Sequence, residues 1–403
     1  VKAWLWIAPV GMAGLACLAW GALLVRRRNA MIWLPALIRG NWAGRRQGRT
    51  ARGIRPLHLL FCIADHFEPA HANATPDVQI QRVNEWVEEY PRIFGSFRDA
   101  DGMPPRHTFF YPVEQYAPDL LERLSALVER GLAEVEVHLH HHGDTSSHLR
   151  ETLLAFLERL MSHGLVGTEP GSGRPRYGFV HGNWALDNAL PDGAWCGVND
   201  ELRVLGETGC YADFTLPAAP SAAQTRRINS IYYAADDPGR PRSHDDGVEV
   251  RVGSHPSGDL MIVQGPLTLR WPGRKAWGLL PATETGDISA AAPPTRARAD
   301  AWVRTRVCVS GRPDWVFVKV HTHGCNDRNR PILLGERMRA LHDYLTERYN
   351  DGSRWQLHYV TAREMYNIIK AAEAGLSGSP GQYRDLVVAP PDAARRRRGQ
   401  GGG

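Results

Sequence analysis

From residue 57 onward, short runs of continuously apolar residues alternate with stretches in which apolar residues recur every three or four positions. His58–Ala64 predicts a buried strand, after which Val83, Trp86, Val87 and Tyr90 share one helical face. His107–Tyr111, Val135–His140, Tyr177–His181 and Cys210–Thr215 predict further strands. Between them, Leu120, Leu121, Leu124, Leu127 and Val128 mark a helix stopping at Gly131, and Leu149–Met161 a helix stopping near Gly164. Later strands are predicted at Ile228–Tyr233, Leu260–Gln264, Trp315–His321 and Gln356–Val360. Helices are predicted at Thr295–Val307, Leu333–Tyr349 and Thr361–Ala374. Strands that are apolar throughout must be covered on both faces. Their alternation with helices predicts an α/β fold, a (β/α) barrel of about seven strands over residues 57–385. Residues 234–295, rich in Pro, Gly, Asp and Arg, break the rhythm and read as an excursion over the barrel mouth.

The start of the chain follows a different pattern. Ala3–Val25 is almost wholly apolar, and at about 1.5 Å per residue it can cross a hydrocarbon core of about 30 Å. Residues 1–28 are therefore expected to be a transmembrane anchor, retained rather than cleaved because the basic charge follows the apolar run. Residues 29–56 form a basic juxtamembrane linker. Its Met31–Ile38 stretch is too short to span, and reads either as lying in the headgroup region or as a structured linker. Arg26, Arg27, Arg28, Arg39, Arg45, Arg46, Arg49, Arg52 and Arg55 flank the anchor, and no Asp or Glu precedes Asp65. This charge asymmetry predicts a single-pass protein of the inner (cytoplasmic) membrane with its main domain on the cytoplasmic side. Residues 386–403 read as a disordered basic tail.

Over the whole chain the hydrophobic fraction of 43% and charged fraction of 23% suit one globular domain with a sizeable core. The net charge of +5 is concentrated at the ends, and no nucleic-acid partner is expected. The six cysteines show no CxxC and read as free thiols, which argues against a cysteine-based metal site.

Polar residues collect where the predicted strands end, the edge at which barrel enzymes carry their active sites. Asp65, His66 and Glu68 follow the first strand and Glu114 the second. His138, His140, His141 and His142 end the third, His181 and Asn183 the fourth. Asp213 lies in the fifth, and His321 and His323 end the Trp315–His321 strand. His138 and His140 point to one face of a strand, whereas His138 and His142 share a face if the chain turns helical. Either pair, with Asp65 or His66, predicts a catalytic divalent-metal site with room for water. Imidazole and carboxylate ligands suit Zn²⁺, with Co²⁺, Ni²⁺ or Fe²⁺ as alternatives. Glu68, before Pro69, reads as structural. His58 and His107 begin their strands and read as structural too. Trp184 is either a sugar-stacking platform or core.

In these segments the chain resembles the polysaccharide deacetylases of the chitin and nodulation-factor type, and more closely an uncharacterised branch found among exopolysaccharide genes. The similarity rests on Ala64–Pro69, His138–His142, Phe179–Trp184, Gly209–Pro217 and Val320–Gly324. It implies a metal-dependent hydrolase that removes N-acetyl or related acyl groups from a polysaccharide or lipid-linked sugar, with polysaccharide-synthesis machinery as a partner. Asp65 and the histidines His321 and His323 would be catalytic. His66, His138, His140 and His142 would hold the ion, and Glu114, His181, Asn183, Trp184 and Asp213 would contact substrate. Two departures stand out: His66 replaces the family's second aspartate, and His181-Gly-Asn-Trp184 replaces its Arg-x-Pro-Tyr. The competing readings are another barrel metallohydrolase, of amidohydrolase or phosphoesterase type, and a non-catalytic membrane-anchored scaffold of exopolysaccharide assembly.

Overall fold

In a computed structural model of the chain, the described residues are 26, 29–39, 53, 56–270 and 281–395. The apolar run 3–25 and the tail residues 396–403 lie outside them. No helix among the described residues is long and apolar enough to cross a membrane.

The chain runs β1 (Leu57–His66), α1 (Pro76–Phe94), β2 (His107–Pro112), α2 (Pro118–Glu129), β3 (Ala133–Leu139) and α3 (Ser146–Ser162). It continues through β4 (Gly167–Thr168), β5 (Pro175–His181), α4 (Glu201–Thr208), β6 (Cys210–Asp213), β7 (Ile231–Ala234), β8 (Val248–Glu249) and β9 (Leu260–Val263). A hairpin, β10 (Thr268–Arg270) and β11 (Ala282–Glu284), precedes α5 (Arg296–Thr305) and β12 (Trp315–Thr322). Last come α6 (Arg330–Leu333), α7 (Glu336–Tyr349), β13 (Trp355–Tyr359) and α8 (Ala362–Glu373). The large sheet has the order β12-β1-β2-β3-β5-β6-β9-β7-β8, parallel from β12 to β9 and antiparallel beyond. β13 also pairs with β1, along its first half, while β2 takes the second half.

This mixed α/β architecture with a large, mostly parallel sheet follows from the strands' composition. Every residue of β1 is buried. Leu59, Phe61 and Ile63 join the core under α1, α2 and α3, whereas Leu60, Cys62 and Ala64 join a second core on the other face. α8 belongs to that second core through Met365, Ile368 and Ile369. It starts at a capping box in which Thr361 and Glu364 satisfy each other's backbone N–H groups. Near the starts of the strands, buried Glu134 takes two bonds from the Arg363 guanidinium, at 2.8 and 3.0 Å, and Glu364 pairs with Arg106 and Arg384.

Three segments differ from expectation. Within 234–295, β9 is a member of the main sheet, so this region is more than an excursion. Residues 30–39 form a helix whose Trp33 and Leu37 are buried with Ala219 and Leu267. These two side chains are therefore occupied by protein contacts, although Met31 and Ile38 stay exposed. The segment expected to begin a disordered tail at 386 is packed as far as 395. Val388 is buried, its carbonyl receives Arg363 and Asn367, and Ala389 pairs with Thr168.

Candidate metal centre

β1, β3 and β12 end on the same edge because all three are parallel and in one sheet, and their C-terminal segments carry polar residues. Alternation along β1 sends Asp65 and His66 to opposite faces. His66 faces the interior, where its ring centroid lies 4.9 Å from that of His138 and 4.7 Å from that of His323. Glu68 reaches the same place. Its Oε1 is 3.3 Å from His138 Nε2 and 3.6 Å from His140 Nε2. Glu68 is thus common to two ligand sets, one with His66 and His323 and one with His138 and His140, each with its ligand atoms within 4.8 Å of one another.

The remaining ring nitrogens are tied back. His138 Nδ1 donates to the Val180 carbonyl at 2.8 Å, and His140 Nδ1 lies 2.6 Å from Glu114 Oε1. When both rings are neutral, with their protons on Nδ1, both Nε2 lone pairs face the Glu68 carboxylate. An array of acceptors of this kind is satisfied by a cation, and backbone carbonyls and carboxylates behind ligating imidazoles are the usual outer contacts of a metal site. Gly182 makes the approach feasible, since a Cβ there would meet the His140 ring at 2.3 Å.

Electrostatics favour the neutral donor form for His66, His321 and His323. Burial, with His323, His138 and His321 crowding it, holds the His66 ring well below the usual histidine range. Burial lowers His321 and His323 as well. These rings are neutral near pH 7, the form a ligand requires. Burial alone would raise the Glu68 carboxyl, but without an ion the bond and charge of a doubly protonated His138, helped by His323 and His140, outweigh it and bring it down to about 2. An ion there would displace the Nε2 proton and supply the positive charge instead.

The other candidates divide clearly. Asp65 is fully buried and does not join the converging group. Its Oδ1 accepts the Gly324 N–H at 2.6 Å, and its Oδ2 lies 2.8 Å from His107 Nε2. A side chain at Gly324 would collide with that carboxylate, a Cβ falling 2.1 Å from Oδ2. Asp65 therefore holds the turn that carries His323. His107 reaches it because β2 is staggered: Thr108 pairs with Ala64 and Phe109 with Asp65, so β2 starts beside the end of β1. His142 is outside the group. It is exposed, its ring lies against Trp195, and its Nδ1 accepts the Trp195 N–H at 2.9 Å. The ring of His321 is buried 6.4 Å from that of His66. Trp184, half-buried, stands with its ring centroid 6.0 Å from those of His66 and His323. Asn183 takes a left-handed φ of 54° that turns the chain toward it.

Asp213 and His181 are buried and face elsewhere. Both Asp213 oxygens accept from Thr215, at 3.0 and 2.6 Å, so the carboxylate braces a strand end. His181 Nε2 lies 2.8 Å from His141 Nε2 in a separate cluster with Glu201 and Cys196. Sequence reasoning missed Glu68 as a central residue. The available signal was its spacing of two from His66, which puts both on one face if the chain stays extended. Neither a family model nor a curated protein matches the chain.

Proposed function

We propose that the protein is a metal-dependent hydrolase that removes N-acetyl or related acyl groups from a polysaccharide or lipid-linked sugar, as its resemblance to polysaccharide deacetylases implies. The observation that carries this reading is the convergence of His66, His138, His140 and His323 on the Glu68 carboxylate at the carboxyl ends of β1, β3 and β12. Those five residues would hold the ion, Zn²⁺ or a similar divalent metal. When bound, it polarises an acyl carbonyl and makes water more acidic. The chain's own residues do the rest. Asp65 is a positioning residue that fixes the Gly324 turn and with it His323. Glu114 and the Val180 carbonyl orient His140 and His138. Trp184 supplies an aromatic wall on which a sugar ring can stack. His321, buried beside His66, keeps its neutral ring available to the site.

The fold we assign to this reading is a (β/α) barrel whose last gap is closed by irregular segments rather than a strand ladder. Beyond β12, Phe317 N–H donates to Val307 O at 2.8 Å, and Ser310 N–H to Val250 O at 2.9 Å. Val250 N–H in turn donates to Ile231 O at 2.9 Å, while Lys319 Nζ reaches the Leu216 carbonyl at 2.6 Å. We further propose, from the apolar run Ala3–Val25 and the arginines that follow it, that residues 1–28 anchor this domain to the inner membrane on its cytoplasmic side. On that face a nucleotide- or lipid-linked sugar is a more accessible substrate than a finished polymer.

The test is acetate release from N-acetylated oligosaccharides and lipid-linked sugars by full-length protein loaded with Zn²⁺ or Co²⁺. Release that His138→Ala/His140→Ala abolishes is the expected result. Phosphate release from phosphoesters without acetate would replace the reading by a phosphoesterase. Bound metal with no product from either class would replace it by a scaffold.

A further inference from the structure

We propose that His141, His181, Glu201 and Cys196 form a second, structural site for a zinc-like divalent cation, independent of the site at Glu68. The four residues come from three places: His141 just after β3, His181 at the end of β5, and Cys196 and Glu201 flanking the entry to α4. His181, Cys196 and Glu201 are fully buried, and the His141 side chain is 6% exposed. Their ligand atoms all lie within 4.8 Å of one another.

Without an ion the edges of this cluster are those of a proton on His141 Nε2 shared with His181 and Glu201, and an ion would replace that proton. His141 Nε2 is 2.8 Å from His181 Nε2, and Glu201 Oε1 lies 3.2 Å from the first and 3.4 Å from the second. Each imidazole uses its other nitrogen outward. His141 Nδ1 faces Asp144 Oδ2 at 3.0 Å, and His181 Nδ1 donates to the Gly182 carbonyl. With protons on Nδ1, two lone pairs and a carboxylate oxygen meet in a dry pocket. Zinc bonds to nitrogen and oxygen of about 2.0–2.2 Å place tetrahedral ligand pairs about 3.3–3.5 Å apart. One ion can span these three atoms with a small opening of the nitrogen–nitrogen edge. Cys196, whose Sγ is 3.6 Å from the other Glu201 oxygen, Oε2, has its sulfur within 4.8 Å of the remaining ligand atoms and completes four ligands. The thiol proton and the proton on His141 Nε2 leave to solvent on binding. Two neutral imidazoles, one carboxylate and one thiolate then balance a double positive charge, so the buried site is neutral.

Such a closed four-ligand site is structural rather than catalytic. Its effect is local. The 182–200 loop contains non-glycine residues at left-handed φ, among them Asn183, Trp184, Asp187, Asn188 and Trp195. Conformations of this kind persist where surrounding structure holds them. The cation would clamp both ends of the loop, next to Trp184 and to His140.

Metal content and cobalt spectra of the full-length protein test this. The expected result is two equivalents of zinc in the wild type and one in His138→Ala/His140→Ala. Cobalt-loaded protein should show a thiolate-to-cobalt charge-transfer band in the near ultraviolet, kept in that double variant and lost in Cys196→Ser. A double variant that binds no metal, or cobalt-loaded wild type without the band, would overturn the proposal and leave a proton shared within the cluster. One equivalent in the wild type that survives His138→Ala/His140→Ala would uphold this site and overturn the one at Glu68.

Discussion

Replacing Glu114 by Gln separates a ligand's orientation from its charge. Glu114 sits on the short turn after β2, with Oε1 2.6 Å from His140 Nδ1 and Oε2 3.4 Å from the His140 backbone N–H. Burial disfavours the charged His140 ring, but the bond and charge of Glu114 outweigh it and raise the ring's pKa. Glutamine keeps a hydrogen-bonding oxygen in place and removes the charge, so His140 Nε2 becomes a weaker donor to an ion at Glu68. Loss of such an outer contact reduces metal affinity by about 10–100-fold. The Glu114 side chain is 37% exposed, and water screening puts the effect at the lower end. The expected change is about tenfold in Kd, or about 1.4 kcal/mol. Competition against a chromogenic chelator reads it, for the ion whose binding His138→Ala/His140→Ala abolishes. His142→Ala is the matched control from the same histidine run, and its Kd should match the wild type. An unchanged Kd in Glu114→Gln, or an equal loss in His142→Ala, would refute the assignment of His140 over His142.

Three further outcomes follow from the same geometry. Glu136, buried in β3, accepts from Tyr211 and from the Gly178 N–H, and burial pushes its carboxyl up to about 8 from an ordinary 4.5. Below pH 4.5 both folded and unfolded chains hold this proton; between 4.5 and 8 only the folded chain keeps it, so stability falls as pH rises through that window. Glu136→Gln should therefore be more stable than the wild type at pH 7, on the order of 3 kcal/mol, with the gain vanishing near pH 4 in urea titrations; a gain independent of pH would contradict this. Arg363→Ala strands the buried Glu134 carboxylate and should cost about 3–5 kcal/mol by denaturant unfolding, where a loss under 1 kcal/mol would show that the pair is dispensable. Trp184→Ala should raise KM for an N-acetylated glycan up to about tenfold with metal content unchanged, and an unaltered KM would remove Trp184 from the substrate surface.

Much of the architecture was legible because it is local. Runs such as Leu59–Ala64 are apolar at every position, and that alone requires a strand covered on both faces. Helix ends at Gly131 and Gly164 and the ordering of strands and helices followed from the same one-dimensional pattern. The gathering of polar residues at strand ends was equally visible, since parallel strands all end on one edge. Side-chain parity was also available, and it alone sends Asp65 away from His66 while keeping Glu68 within reach of it.

Tertiary structure decided the rest. The stagger of β2 against β1 brings His107 to Asp65, and no property of the His107–Pro112 run encodes that offset. The turn after β3 separates His140, His141 and His142 into three environments: one beside Glu68, one against His181 and one on the surface with Trp195. Adjacent residues in a histidine run look alike in sequence. Their partners come from the segment just after β1, from β5 and from the 182–200 loop, so each fate is set by contacts between residues far apart in the chain, which local spacing does not specify.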